Sequence, residues 1–493
     1  MAESSYSGGS LEADHLCVLV HGLWGNPNHM ASVAKALRAQ HPADRVYILV
    51  AKRNSGSFTY DGIELGGERV CAEIEEELEL IKSKGGSIKK LSIVGYSLGG
   101  LVARYAIGLL FARGVLDGLE CMNFTAFASP FVGVRTPLRG WMRQAYNVLG
   151  ARTLCASGRQ LFGIDKFRDT GRPLLAVLAD PGSVFMSGLA RFRRRTLYAN
   201  IVNDRTAVYY TTAIDKTDPY ADLANVRVRF LDGWEDVILD PTHPVSPKDV
   251  TAATSISTHP ETSAVAAVSV TMRQWARRAP LTLALALFVP LGVVAFLVNS
   301  AVQTVRSARR VRLHYHEHGG PGGAFRGVGL FVKEVRGAVE NAYGALGPAA
   351  TAGQGEYLVN DSDDDDDDDI SEVNNRNNGD SDNGNGRDPL KAPVGVEKEE
   401  ENVVERDDDE EDKWVALERK RSRQDAQPFP TLALAGYQFA AIEALDQLGW
   451  RKYPVWIHKH RHSHAAIIVR MEKSGFEEGR VVLRHWATEE FLV

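Results

Sequence analysis

Ser97 sits in Gly95-Tyr96-Ser97-Leu98-Gly99, a G-x-S-x-G pattern, and a serine so placed has the surroundings of an acyl-transfer nucleophile. The run Leu91-Ser92-Ile93-Val94 before it is β-prone, and LVARYAIGLLFARG after it has helical spacing, so the pattern predicts a sharp strand-to-helix turn. Gly95, Gly99 and Gly100 supply the small neighbours that such a turn needs. The turn lifts the hydroxyl out of the sheet and aims the first N–H groups of the helix at developing negative charge. The same pentapeptide occurs in ordinary glycine-rich loops, so its partners must decide.

A serine nucleophile requires a base for its proton and a carboxylate to hold that base in one tautomer. Asp204 follows the β-prone run Thr196–Val202, at the strand end where catalytic groups gather in parallel sheets. His458, His460, His462 and His464 alternate after the β-prone Tyr453–His458, which predicts four imidazoles on one strand face. That spacing also permits a metal site, but no Cys, Asp or Glu lies among them, and the pattern favours one general base and no metal. His464 opens the apolar run AAIIVR, which would anchor a base firmly. The glycine loop His21-Gly22-Leu23-Trp24-Gly25 follows another buried-type strand; its Leu23 N–H and the Leu98 N–H are the candidate oxyanion donors. Leu23, Trp24 and Leu98 are candidates to line an acyl groove, and Trp24 and Tyr96 are the candidate substrate-binding residues. None of this chemistry requires a cofactor.

Strand, glycine loop and helix repeat along residues 15–270: a strand from His15, a second at Arg45–Val50, a helix from about Gly66 to Lys84, the Ser97 strand, and a fourth strand at Met122–Ala128. The alternation predicts an α/β fold with a mostly parallel, doubly wound sheet. Residues 134–192 mix aromatics with arginine and lack a strand pattern, as a substrate-covering cap inserted in the core would. Residues 1–14 read as a flexible N-terminus without the features of a signal peptide, 313–351 as an uncertain linker, and 429–493 as the returning part of the core.

The chain has 493 residues, 44% of them hydrophobic, enough for a substantial core. Its net charge of −6 conceals an asymmetry, because residues 361–412 hold 23 acidic against 5 basic side chains. Asp363–Asp369 are seven consecutive aspartates, and residues 352–428 read as a largely disordered acidic insertion. The remainder is basic, with no nucleic-acid motif, which favours an anionic lipid surface as its partner. Cys17, Cys71, Cys121 and Cys155 lack disulfide-framework or zinc spacing and read as reduced, mostly buried thiols.

Residues 271–312 read as a membrane anchor. Leu281–Val298 run without a charge and are flanked by Arg273, Arg277 and Arg278 before and Arg306, Arg309, Arg310 and Arg312 after. Pro290 and Gly292 at the centre and the symmetric charge predict a hairpin dipping into one leaflet rather than a span.

HGLWGN, TYDGIELGGERV, GYSLGG, YANIVNDRTAVYY and HSHAAIIVR together resemble the lipase-like putative serine esterase family of fungi and plants. The resemblance covers about residues 15–215 and 429–470 and implies an α/β-hydrolase with Ser97, Asp204 and His464 as its triad, in that chain order. Two departures concern pocket shape: Tyr96 stands where the family commonly has His, and Ser129-Pro130-Phe131 replaces the usual Thr-Pro-His. The family has members on lipid droplets and other membranes. The expectation is a serine lipase on the cytosolic face of a lipid droplet or the endoplasmic reticulum, hydrolysing phospholipids or mono- and diacylglycerols. A non-catalytic membrane scaffold on the same fold and a protein-thioester hydrolase are the alternatives.

Overall fold

Residues 16–20 alternate between two apolar environments: Leu16, Val18 and Val20 face one core, Cys17 and Leu19 the other. A strand buried on both faces in this way belongs to the middle of a parallel sheet covered by helices on each side. The computed structural model describes residues 6–134, 155–234, 236–247, 298, 301–313 and 429–493, and these bear the description out. The chain divides into two units, residues 1–350 with 429–493, and residues 351–428; the described residues belong to the first.

The central sheet comprises β1 (His15–Val20), β2 (Val46–Val50), β3 (Lys90–Tyr96), β4 (Glu120–Phe127), β5 (Arg194–Asn200) and, after a small antiparallel pair β6 (Val226–Val228) and β7 (Val245–Pro247), β8 (Arg451–Val455). Its order is β2-β1-β3-β4-β5-β8, with every neighbouring pair parallel. The chain leaves β1 outward to β2 and returns to β3 on the other side. The loops after β1 and β3 therefore meet at the carboxyl edge at the point where the strand order reverses, the place where ligands bind in sheets of this kind.

Three helices cover one face: α2 (Ile63–Ser83), α3 (Leu98–Ala112) and, after α4 (Ala156–Phe162) and α5 (Leu174–Leu178), α6 (Val184–Ala190). The aliphatic side of α3 explains its central place, since Leu98–Leu110 are buried throughout. The opposite face carries α1 (Ala31–Gln40) and the C-terminal α10 (Glu477–His485), with Trp486 fully buried among β3, β4 and β5 side chains. Between these faces in chain order lie α7 (Tyr209–Ala213), α8 (Gly436–Asp446) and the short α9 (Ser463–Ala466).

Several expectations change. Residues 6–14 are not a loose tail: the Gly8 N–H donates to Ile48 O at 2.7 Å and Gly8 O accepts from the Ile48 N–H, which covers the β2 edge. Within 134–192, α6 packs directly on α3, with Phe185 against Gly108, so this part is a layer of the core rather than a cap. Residues 135–154 lie outside the described residues, as do 313–351 beyond Leu313 and the whole acidic insertion 352–428. The apolar run 281–298 lies outside them too, apart from Val298; among the described residues no helix is long and apolar enough to cross a membrane. The four cysteines are buried and free, as expected.

Candidate active site

β3 ends at Tyr96, and the chain turns at Ser97 with φ 55° and ψ −129° before α3 begins at Leu98. A non-glycine residue held there is strained, and such strain collects at functional sites. The turn is fixed by the Ser97 N–H donating to Phe127 O at 2.9 Å on β4. It closes only because Gly95 and Gly100 touch: a Cβ on Gly95 would lie 2.3 Å from the Gly100 Cα. The loop after β1 approaches as closely, since a Cβ on Gly22 would stand 2.7 Å from the Ser97 Cβ.

His464 Nε2 lies 2.9 Å from Ser97 Oγ, and His464 Nδ1 lies 2.8 Å from Asp204 Oδ2. The three groups come from the carboxyl ends of β3, β5 and β8. Asp204 is buried and fully engaged: Oδ2 also accepts from the Asn200 amide, and Oδ1 accepts from the Thr206 and Ala207 N–H groups at 3.0 and 2.8 Å. Burial acts to raise the Asp204 pKa, but the facing His464 charge and the bonds from His464, Ala207 and Asn200 outweigh it and hold the carboxyl below the usual range. An ionised acid on Nδ1 leaves Nε2 able to accept the serine proton.

The histidine does not ride on a strand. β8 stops at Val455, residues 456–462 form a loop, and His464 is the second residue of α9. The strand reading fails because Lys459, Arg461 and Ser463 alternate with the histidines, leaving neither face with apolar side chains to bury. His460 packs on Phe476 and near His462 at 5.4 Å, and neither contact includes Ser97. Among the described residues no group of three or more His, Cys, Asp or Glu gathers in a metal-holding arrangement.

Two hydrogen bonds pin α9. Ser463 Oγ donates to Val202 O at 2.8 Å, tying it to the loop that carries Asp204. The Tyr96 O–H donates to His464 O at 2.9 Å, and the two rings lie 5.2 Å apart. Tyr96 is therefore not a wall of an open substrate site; it is buried behind the histidine, and burial pushes its phenol pKa up, so it remains a donor.

Leu98 opens α3 and Leu23 lies in the loop after β1; among the described residues neither N–H has a hydrogen-bond partner. Leu98 is buried and Leu23 half-buried against the core, whereas Trp24 is 58% exposed. The Trp24 N–H donates to Thr59 Oγ1 at 3.1 Å, which braces the loop against the 3-10 turn Gly56–Tyr60. His21 is buried beneath, with Nδ1 3.1 Å from Gly22 O; burial lowers its pKa, partly offset by that bond, and keeps the ring neutral. The supporting roles of His21, Tyr96 and Thr59 were not evident from residue type alone. For Tyr96 a signal existed: it shares strand parity with Val94, which faces the α1 and α10 side.

Ser, then Asp, then His along the chain, all at the carboxyl edge of a parallel sheet, place this domain among the α/β-hydrolases. Residues 10–217 match the family model described as "Putative serine esterase (DUF676)". "Putative lipase ROG1" of Saccharomyces cerevisiae is 30% identical over 209 residues, 41% of this chain and 28% of that protein. "Putative lipase C4A8.10" of Schizosaccharomyces pombe is 24% identical over 217 residues, 43% of this chain and 27% of that protein. The chain thus spans less than a third of the length of these relatives. Among solved structures, a lipase-esterase related protein from Clostridium acetobutylicum is 12% identical, with TM-score 0.25, 42% of this chain and 82% of that one covered. Phospholipase PlaB from Legionella pneumophila is 14% identical, with TM-score 0.22 and 40% and 41% covered.

Proposed function

We propose that the chain is a membrane-associated serine lipase that hydrolyses fatty acyl esters of glycerolipids, with Ser97 as nucleophile, His464 as base and Asp204 as its orienting acid. The observation that carries the reading is the continuous chain of contacts, 2.9 Å from Ser97 to His464 and 2.8 Å from His464 to Asp204. Ser97 Oγ attacks the ester carbonyl carbon while His464 Nε2 takes its proton, and the carbonyl oxygen becomes an oxyanion facing the Leu98 and Leu23 N–H groups. Collapse breaks the ester C–O bond, and the departing alcohol takes the proton from His464. Water then gives a proton to His464 and adds to the acyl carbon. Ser97 leaves with that proton and the fatty acid is released.

Lipid rather than soluble esters is supported by the charge-free run 281–298, its arginine flanks and the exposed Trp24 on the loop whose Gly22 abuts Ser97. The curated relatives' names, putative lipases, point the same way. A lipid droplet or the cytosolic face of the endoplasmic reticulum suits such a protein. The test is hydrolysis of monoacylglycerol, diacylglycerol and glycerophospholipid by the wild type, His464→Ala and His462→Ala. We expect His464→Ala to lower turnover by roughly three or more orders of magnitude and His462→Ala to leave it nearly intact. Equal losses in both variants would contradict the assignment.

A further inference from the structure

The helical segment 301–313 begins three residues after the apolar run ends and is held against the rim of the candidate active site. Arg310 makes a forked contact with the Asp61 carboxylate, Nη2 at 2.7 Å and Nε at 3.0–3.1 Å, and its Nη2 also donates to Ser57 O at 2.8 Å. Arg69 reaches the same carboxylate at 2.7 Å, and the Asp61 side chain is fully buried between them. Both guanidinium groups lie over the Phe58 ring, at 4.9 and 5.0 Å from its centre. Ser307 Oγ adds a bond to Tyr60 O. A buried carboxylate shared by two planar cations is a rigid joint, because removing either cation exposes a desolvation cost.

That joint is close to the chemistry. Thr59, two residues before Asp61, accepts the Trp24 N–H, and Gly22 of the same loop abuts Ser97. Away from the joint, the segment exposes Val302, Val305, Arg306, Arg309, Arg312 and Leu313. At 100° per residue these six fall within an arc of about 120°, with Ser307 and Arg310 outside it, toward the body. Three apolar and three cationic side chains on one stripe match an anionic bilayer surface, the arginines meeting phosphates and the aliphatic groups entering the headgroup boundary. Phe58, under the Arg310 and Arg69 guanidinium groups, and Trp24, two residues after the Gly22 that abuts Ser97, are 42% and 58% exposed.

Resting on the reading of a lipid-active esterase, we propose that this stripe docks on an anionic phospholipid surface and that the Asp61 joint turns the Ser97 entrance toward the same surface. A lipid ester then needs only a short displacement out of the leaflet to reach Ser97.

The test uses the full chain with Ser97→Ala, so that binding is separated from turnover, and vesicles of phosphatidylcholine alone or with phosphatidylserine. Charge reversal by R306E, R309E and R312E together is expected to weaken binding to the anionic vesicles by roughly a hundredfold, at about fivefold per arginine. In the Ser97 background the same reversal should leave hydrolysis of a soluble short-chain ester within twofold of wild type. Unchanged vesicle binding overturns the proposal. Should the reversal also abolish soluble-ester hydrolysis, Val305→Cys decides, since it keeps the arginines and the natural cysteines are buried. An environment-sensitive dye on Cys at 305 should shift to the blue with anionic vesicles. The same dye at Leu80→Cys, about 25 Å along α2 from Ile63, should not. Equal shifts at both positions, or none at 305, overturn the proposal, as does a shift at 305 that follows protein concentration without vesicles, which would assign the stripe to a second copy. Failure of the wild type on every ester would remove the esterase reading alone, because the binding arms do not depend on turnover.

Discussion

Tyr96 supports His464 through a single hydrogen bond to main chain, and that makes its contribution separable. Tyr96→Phe keeps the ring beside the imidazole and removes only the O–H that reaches His464 O at 2.9 Å. A net hydrogen bond is worth about 1 kcal/mol, so kcat should fall about fivefold to tenfold with KM within twofold. Michaelis–Menten kinetics on a soluble ester check this; a change in KM alone would return Tyr96 to substrate contact. At this scale the sequence was legible where chemistry dictates residue type: Ser97 by its glycines and Asp204 by its place after an apolar strand. It was less legible for His464, since four histidines share one spacing and only folding separates them. The role of Tyr96 was hidden because its partner lies 368 positions away.

The strands and helices were read from apolar alternation, and most follow it: β1, β3 and β5 fall within two or three residues of the apolar runs. What escaped is set by partners distant in sequence. Gly8 pairs with β2, and residues 237–239 pair with β8, where the Trp456 N–H donates to Val237 O and the Leu239 N–H to Pro454 O. No local pattern announces such edge cover. The sheet also carries a pH-sensitive joint. His15 Nε2 lies 2.7 Å from Ser92 Oγ, which also accepts from the Asn123 amide, and His485 Nδ1 lies 2.7 Å from the Tyr198 hydroxyl. Burial drives both rings down from 6.5 to about 4. Unfolded chains protonate them near 6.5 and the folded protein only near 4. Stability from these sites is therefore complete above 6.5 and is lost as pH falls from 6.5 toward 4. Urea midpoints should drop between pH 7 and pH 5 by the equivalent of about 1–2 kcal/mol per ring, and the double variant His15→Gln, His485→Gln should flatten that slope. An identical slope in the variant would place the acid sensitivity elsewhere.

For the whole molecule, the division of labour follows composition. The apolar, alternating parts at 15–200 and 429–493 build the central sheet, in which β8 lies beside β5 and leads to His464 although 250 residues separate the two strands in sequence. That return was legible from motif order, because a histidine more than 250 positions after its acid requires the intervening segment to be an excursion. The seven aspartates and the charge-free run mark what the excursion contains. The central claim, that one serine in this assembly is a working nucleophile, is tested most directly by labelling the full chain with a fluorophosphonate active-site probe. Wild type should label on a single site, mapped by mass spectrometry to Ser97, and Ser97→Ala should not label. Absence of labelling in folded wild-type protein, or undiminished labelling in Ser97→Ala, would contradict the account.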